Sequence, residues 1–140
     1  MRQIAAVLLS CALFSAVLLT SAPSEANADV SGQAVVDEAR SYIGASYGAG
    51  GFDCSGFTSA VFADLGVYLP DSPGGQYAYG APSSGEAGDL VFFDEHGYGI
   101  SHVGIATGYG TVIHASTYYG TVVESSMQYI PGYAGAVDAY

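Results

Sequence analysis

The sequence predicts an α+β fold, with N-terminal helices packed on a central antiparallel β-sheet. Three observations carry this. Apolar residues recur at helical spacing early in the chain, as at Phe57, Val61 and Leu65. After Gly88 the texture changes to short β-rich runs separated by glycines. Helices first and strands after favour segregated layers over alternating parallel units.

Met1–Ala28 reads as a secretory signal. Arg2 supplies the basic start, Ile4–Leu19 is an apolar run without charge, and Ala26-Asn27-Ala28 is a cleavage site of small residues. A transmembrane anchor is the alternative, but the run is short for a span and no basic stop-transfer residues follow it. A lipid-modified Cys11 is a third reading, poorly served by Leu9 and Ser10. Cleavage after Ala28 leaves one domain, residues 29–140. That is long enough to bury a core without staples. Ser31 can cap a helix to about Ile43, with Val35, Ala39, Tyr42 and Ile43 inward and Gly44 as its stop. The glycine-rich stretch Tyr47–Gly51 then leads into a helix starting near Cys54 and closed by Gly66. Leu69–Gly75 is a turn-rich connection, Gln76–Tyr79 a short helix and Ala81–Gly88 a loop. Leu90–Phe93, His102–Thr107, Thr111–Ala115 and Thr121–Glu124 read as strands, with Val137–Ala139 as a last one. Gly108 and Gly110 mark a tight hairpin between the second and third.

The 140-residue chain carries 13 acidic residues against 2 basic ones, a formal charge of −11. Removing Arg2 and Glu25 with the signal leaves that balance unchanged, with Arg40 the one basic residue. Such a surface argues against nucleic acid, anionic wall polymers or lipid head groups as primary partners. We read the acidity as solubility.

The chain holds 2 cysteines, and Cys11 falls in the signal. Cys54 is therefore a lone thiol in an exported domain, either buried and inert or reactive. At a helix start, unpaired N–H groups and the helix dipole favour an anion. A thiol there can fall from roughly 8.5 to between about 3.5 and 7.5, which makes thiolate near neutrality an expectation. His102 and His114 lie on adjacent predicted strands, each on the same face if the hairpin is simple. Gly104 and Ala106 share the face of His102 and leave room there for the Cys54 helix. Thiolate, imidazole and an orienting group are the parts of nucleophilic acyl transfer. The backbone N–H of Cys54 is a ready oxyanion donor. On this reading kcat/KM is bell-shaped, limited at low pH by Cys54 and at high pH by His102. The plain alternatives are a buried small hydrophobe at Cys54, structural histidines, and a zinc site without local ligand spacing. His96 reads as a solvated loop residue, and Asp94 with Glu95 as a solvated charge pair.

Phe52-Asp53-Cys54-Ser55-Gly56-Phe57 resembles the nucleophile motif of the NlpC-type cell-wall cysteine peptidases, a papain-like group. The resemblance extends in order through Tyr47-Gly48-Ala49-Gly50, Gly66–Pro70, Gln76, Gly88–Phe93, Ile100–Ile105 and Val112–Ala115. It implies the papain-like NlpC-type fold and a triad of Cys54, His102 and His114. Tyr47, Asp53 and Ser55 would face substrate. The implied substrate is a peptidoglycan stem peptide, cut between D-glutamate, through its γ-carboxyl, and a diamino acid. No metal or organic cofactor is implied. We expect a monomer in the secreted or wall compartment, without stable membrane association once the signal is gone. The sequence departs from the family at Asp71, where a basic residue is usual near the expected cleft. The loop from Gly50 to Cys54 is short. Without an accessory wall-binding domain, the enzyme is expected to reach substrate unaided, at high concentration or through a partner. The same triad could serve an amidase, another acyl-transfer enzyme or a toxin aimed at competitors' walls. A non-catalytic wall-binding module is the remaining alternative.

Overall fold

A computed structural model describes residues 30–140. The expected signal, Cys11 and the cleavage site lie outside the described residues. Three α-helices precede and border a six-stranded antiparallel sheet. Among the described residues, no helix is long and apolar enough to cross a membrane.

Helix α1 (Gly32–Ser41) starts at Ser31, whose Oγ accepts the Ala34 N–H at 3.1 Å. It buries Val35, Val36 and Ala39. Its end falls at Tyr42, before Ile43, so Ile43 leaves the inner stripe and is 47% exposed. Gly44 follows with φ +94°, a conformation that stops a helix at little cost only for glycine. Tyr42 stacks edge-on against Phe52 and Phe57 and hydrogen-bonds Asp64, tying α1 to the next helix.

Helix α2 (Cys54–Asp64) is capped by Asp53, whose carboxylate accepts the Gly56 N–H at 2.7 Å. Phe57, Val61 and Phe62 are fully buried. Helix α3 (Pro73–Tyr79) begins three residues before the expected position, with Ser72 as its cap and Pro73 in its first turn.

The strands are β1 (Ala81–Ser83), β2 (Leu90–Phe93), β3 (His102–Ala106), β4 (Thr111–Ser116), β5 (Thr121–Ser126) and β6 (Tyr133–Asp138), in the order β1-β6-β2-β3-β4-β5. Strand β1 occupies part of the expected Ala81–Gly88 loop. It is an edge strand paired with β6, where Pro82 is tolerated because one side of the strand has no partner. The β3–β4 hairpin turns through Gly108 and Gly110, both at positive φ, as expected.

The two sheet faces differ. Val103, Ile105, Ile113 and Ala115 join the main core with α1 and α2. Phe93, Ala106 and Val112 form a smaller cluster with Met127 and Ile130. By alternation, His102, Gly104 and Ala106 belong to the second face. Gly104 therefore does not make room for the Cys54 helix. A Cβ there would collide with Val112 and come within 3.0 Å of the His114 Cβ. Its missing side chain lets β4 bring His114 close to β3.

Candidate active site

Cys54 is the first residue of α2 and is buried, 9% exposed. Its thiol faces the Ser101 carbonyl at 4.0 Å, immediately before β3. It makes no hydrogen bond to His102. Burial pushes the thiol up, and Asp53 adds to the rise; the Val103, Ser55 and Cys54 backbone N–H groups pull it back. This direction opposes the sequence expectation of a resting thiolate. Desolvation outweighs the helix start, because burial removes most of the water that would solvate the anion.

His102 and His114 come together as the hairpin reading expected. Register pairs Ile105 with Ile113 and Ala106 with Val112. His102 Nε2 lies 2.8 Å from His114 Nδ1, and His114 Nε2 lies 2.9 Å from Ser125 Oγ. The hydrogen-bonded line runs obliquely across β3, β4 and β5, since Val123 and not Ser125 lies directly opposite His114. Both imidazoles are pushed down to about 4, His102 by burial and then by His114, and His114 by burial. Both rings are thus neutral near pH 7. Among the described residues, no group of three or more His, Cys, Asp or Glu side chains is placed to hold a metal ion.

Cys54, His102 and His114 line one cavity of about 620 Å³. Tyr47 lines it too, half-buried, with its hydroxyl pushed up by burial and by Cys54, Asp53 and Glu95. Asp53 is exposed, and its carboxylate caps α2; it stands beside the cavity without lining it. Ser55, expected to face substrate, is 4% exposed and turned away from the cavity. Its carbonyl accepts from the buried Gln76 amide at 3.1 Å, which places it in the contact between α2 and α3. Asp71 is exposed in the connection before α3 and does not line the cavity.

Other lining residues escaped sequence reasoning. Asp94 and Glu95 do not form a solvated pair. The Asp94 carboxylate accepts the N–H groups of Gly97, Tyr98 and Gly99, folding the loop around itself. That fold presents Glu95 and the exposed His96 to the cavity. Tyr118, Tyr119 and Tyr129 form its exposed rim, 87%, 60% and 80% accessible. No local pattern marks these residues, since only the loop and the β4–β5 register bring them round.

Fold and site define a papain-like α+β domain with a cysteine at a helix start beside a two-histidine line on the sheet. The chain belongs to the NlpC/P60 family, whose pattern matches residues 40–133. It is 41% identical over 126 residues to a probable endopeptidase of Corynebacterium glutamicum, covering 84% of this chain and 59% of that one. It is 45% identical over 106 residues to a gamma-DL-glutamyl hydrolase of Bacillus subtilis, covering 68% of this chain and 25% of that one. The chain therefore spans less than two thirds of the length of these curated relatives. The crystal structure of the NlpC/p60 domain of peptidoglycan hydrolase SagA superposes with a TM-score of 0.69 at 38% identity, covering 78% of this chain and 99% of that one.

Proposed function

We propose that the protein is an exported cysteine endopeptidase that cuts peptidoglycan stem peptides at the bond between γ-D-glutamate and a diamino acid. The observation that carries this is the single cavity holding Cys54 with the His102–His114–Ser125 line. Family membership and the relatives' printed activities support the substrate class. The name of the Bacillus subtilis relative supports a γ-glutamyl bond.

His102 Nε2–H donates to His114 Nδ1, and His114 Nε2–H donates to Ser125. This leaves His102 Nδ1 unprotonated as the general base. His102 takes the Cys54 proton as sulfur attacks the γ-carbonyl carbon. The N–H of Cys54 stabilises the oxyanion. The imidazolium then gives its proton to the departing amine of the diamino acid, and a thioester forms. Water, deprotonated by His102, attacks the thioester and frees the glutamyl carboxylate, and the proton returns to sulfur. His114 acts by holding the His102 ring and tautomer. Tyr47 contacts substrate from the cavity wall, with Asp53 beside it.

Mass spectrometry of purified wall fragments incubated with residues 29–140 tests this, with Cys54→Ala in parallel. New termini at the D-glutamyl–diamino acid bond, absent with the variant, are expected. Undiminished cleavage by Cys54→Ala overturns the assignment. Amino-terminal sequencing of the exported form tests the signal, and a start at Asp29 is expected.

A further inference from the structure

We propose that Glu95 is a specificity-determining residue that selects substrates with cationic or amidated groups beside the scissile bond and rejects free carboxylates there. This rests on the endopeptidase reading above.

The argument is one of charge and placement. Glu95 lines the same cavity as Cys54. Its backbone N–H donates to Ser101 Oγ at 3.1 Å, and the Ser101 carbonyl faces the Cys54 thiol. The Glu95 backbone is thus anchored through Ser101 to the neighbourhood of the nucleophile. It sits on a loop held by three N–H bonds to Asp94, so its position is built in. Asp53 adds a second carboxylate beside Cys54, and both Asp53 and Glu95 act on the Tyr47 hydroxyl.

Apart from the exposed His96, no accessible side chain of the cavity lining can offset them. The lining contains no Lys or Arg. The one basic side chain among the described residues, Arg40, is bound to Glu124 at 3.0 Å and does not line the cavity. The buried histidines are neutral near pH 7 and supply no counter-charge.

A substrate carboxylate entering this cavity has no Lys or Arg to meet and the Glu95 carboxylate to face. An ammonium group finds a partner in Glu95. A stem peptide offers both kinds of group at the proposed bond. The D-glutamyl residue keeps its α-carboxyl, free or as an amide. The diamino acid carries a side-chain amine, with or without a second carboxyl. The cavity should therefore prefer the amidated glutamyl residue and the diamino acid that lacks the second carboxyl. Like charges within several ångströms at an effective dielectric of about 20 discriminate by roughly tenfold or more.

Two readouts test this. The first needs no peptide substrate. Cys54 is modified with a cationic and an anionic methanethiosulfonate, each rate normalised to a free thiol. The wild type should favour the cation by about tenfold, and Glu95→Gln should cut that ratio at least threefold. An unchanged ratio in Glu95→Gln overturns the proposal. The second compares tripeptides L-Ala-γ-D-Glu-L-Lys and their α-amidated counterparts. The amide should have the higher kcat/KM, with the preference shrinking in Glu95→Gln and in high salt. Equal rates for the pair also overturn it. If neither peptide is cut while the reagent ratio behaves as expected, the endopeptidase reading fails and the charge selectivity of the cavity stands.

Discussion

In the proposed mechanism the proton that His102 takes up starts on the sulfur of Cys54. Burial raises the thiol and lowers His102 to about 4, so the resting pair is thiol and neutral imidazole. These directions favour the opposite assignment of the limbs to the one expected from sequence. On the proposed mechanism the acid limb of kcat/KM should belong to His102, which loses its base function when protonated, and the alkaline limb to Cys54. Activity should persist at pH 5 and fall as pH passes through about 4, a position set by the depressed imidazole. Alkylation of free Cys54 by iodoacetamide should climb steadily as pH rises above neutrality. A rate constant that stays level from pH 5 to pH 8 would show a preformed thiolate and sink this account. Sequence could bring Cys54, His102 and His114, which share one cavity, into one reading because motif and alternation are local. It could not supply the thiol's protonation state, because that depends on water exclusion by residues distant in the chain.

Gln76 sits at the junction of helices and shows what the elements demand of one another. It is fully buried, from α3, and donates to the carbonyls of Ser55 and Pro70 and to Ser59 Oγ. Its oxygen accepts from Thr58 at 2.6 Å. One side chain thereby fixes the start of α2, and with it Cys54, to the connection and to α3. Gln76→Leu keeps the volume but strands buried polar partners, each costing about 1–3 kcal/mol. We expect a loss of about 2–4 kcal/mol in urea unfolding, with kcat reduced even where the protein stays folded. A variant as stable and active as the wild type would remove Gln76 from this role. The element types were legible where periodicity was strong: α1, α2 and β2 to β5. Strand β1 was not, because Ala81, Pro82 and Ser83 have weak strand propensity and are recruited by β6 alone. The part of the site made by Glu95 and Ser125 was hidden for a related reason. Each is placed by a loop fold or a strand register, and neither leaves a mark in nearby sequence.

Across the whole molecule, function sets a condition on stability. His102 and His114 are 8% and 5% exposed and are held neutral down to about 4. In the unfolded chain they bind protons near 6.5. Between those values the unfolded state carries more protons, so stability rises with pH and is lost on acidification. One such histidine is worth about 3 kcal/mol across the window. Asp89, raised by burial, works in the opposite direction. The urea midpoint of the Cys54→Ala protein should fall between pH 7 and pH 4.5, and fall less when both histidines are replaced by glutamine. A midpoint insensitive to pH would contradict the burial of the pair. The ion pair of Arg40 with Glu124 has a separate consequence for resistance to proteolysis. Residues 30–140 offer trypsin-like proteases one peptide bond, Arg40–Ser41, and it lies in the last turn of α1 with its arginine occupied. Digestion must wait for that helix to open, so the rate of nicking at this bond reads the opening of α1 from the sheet.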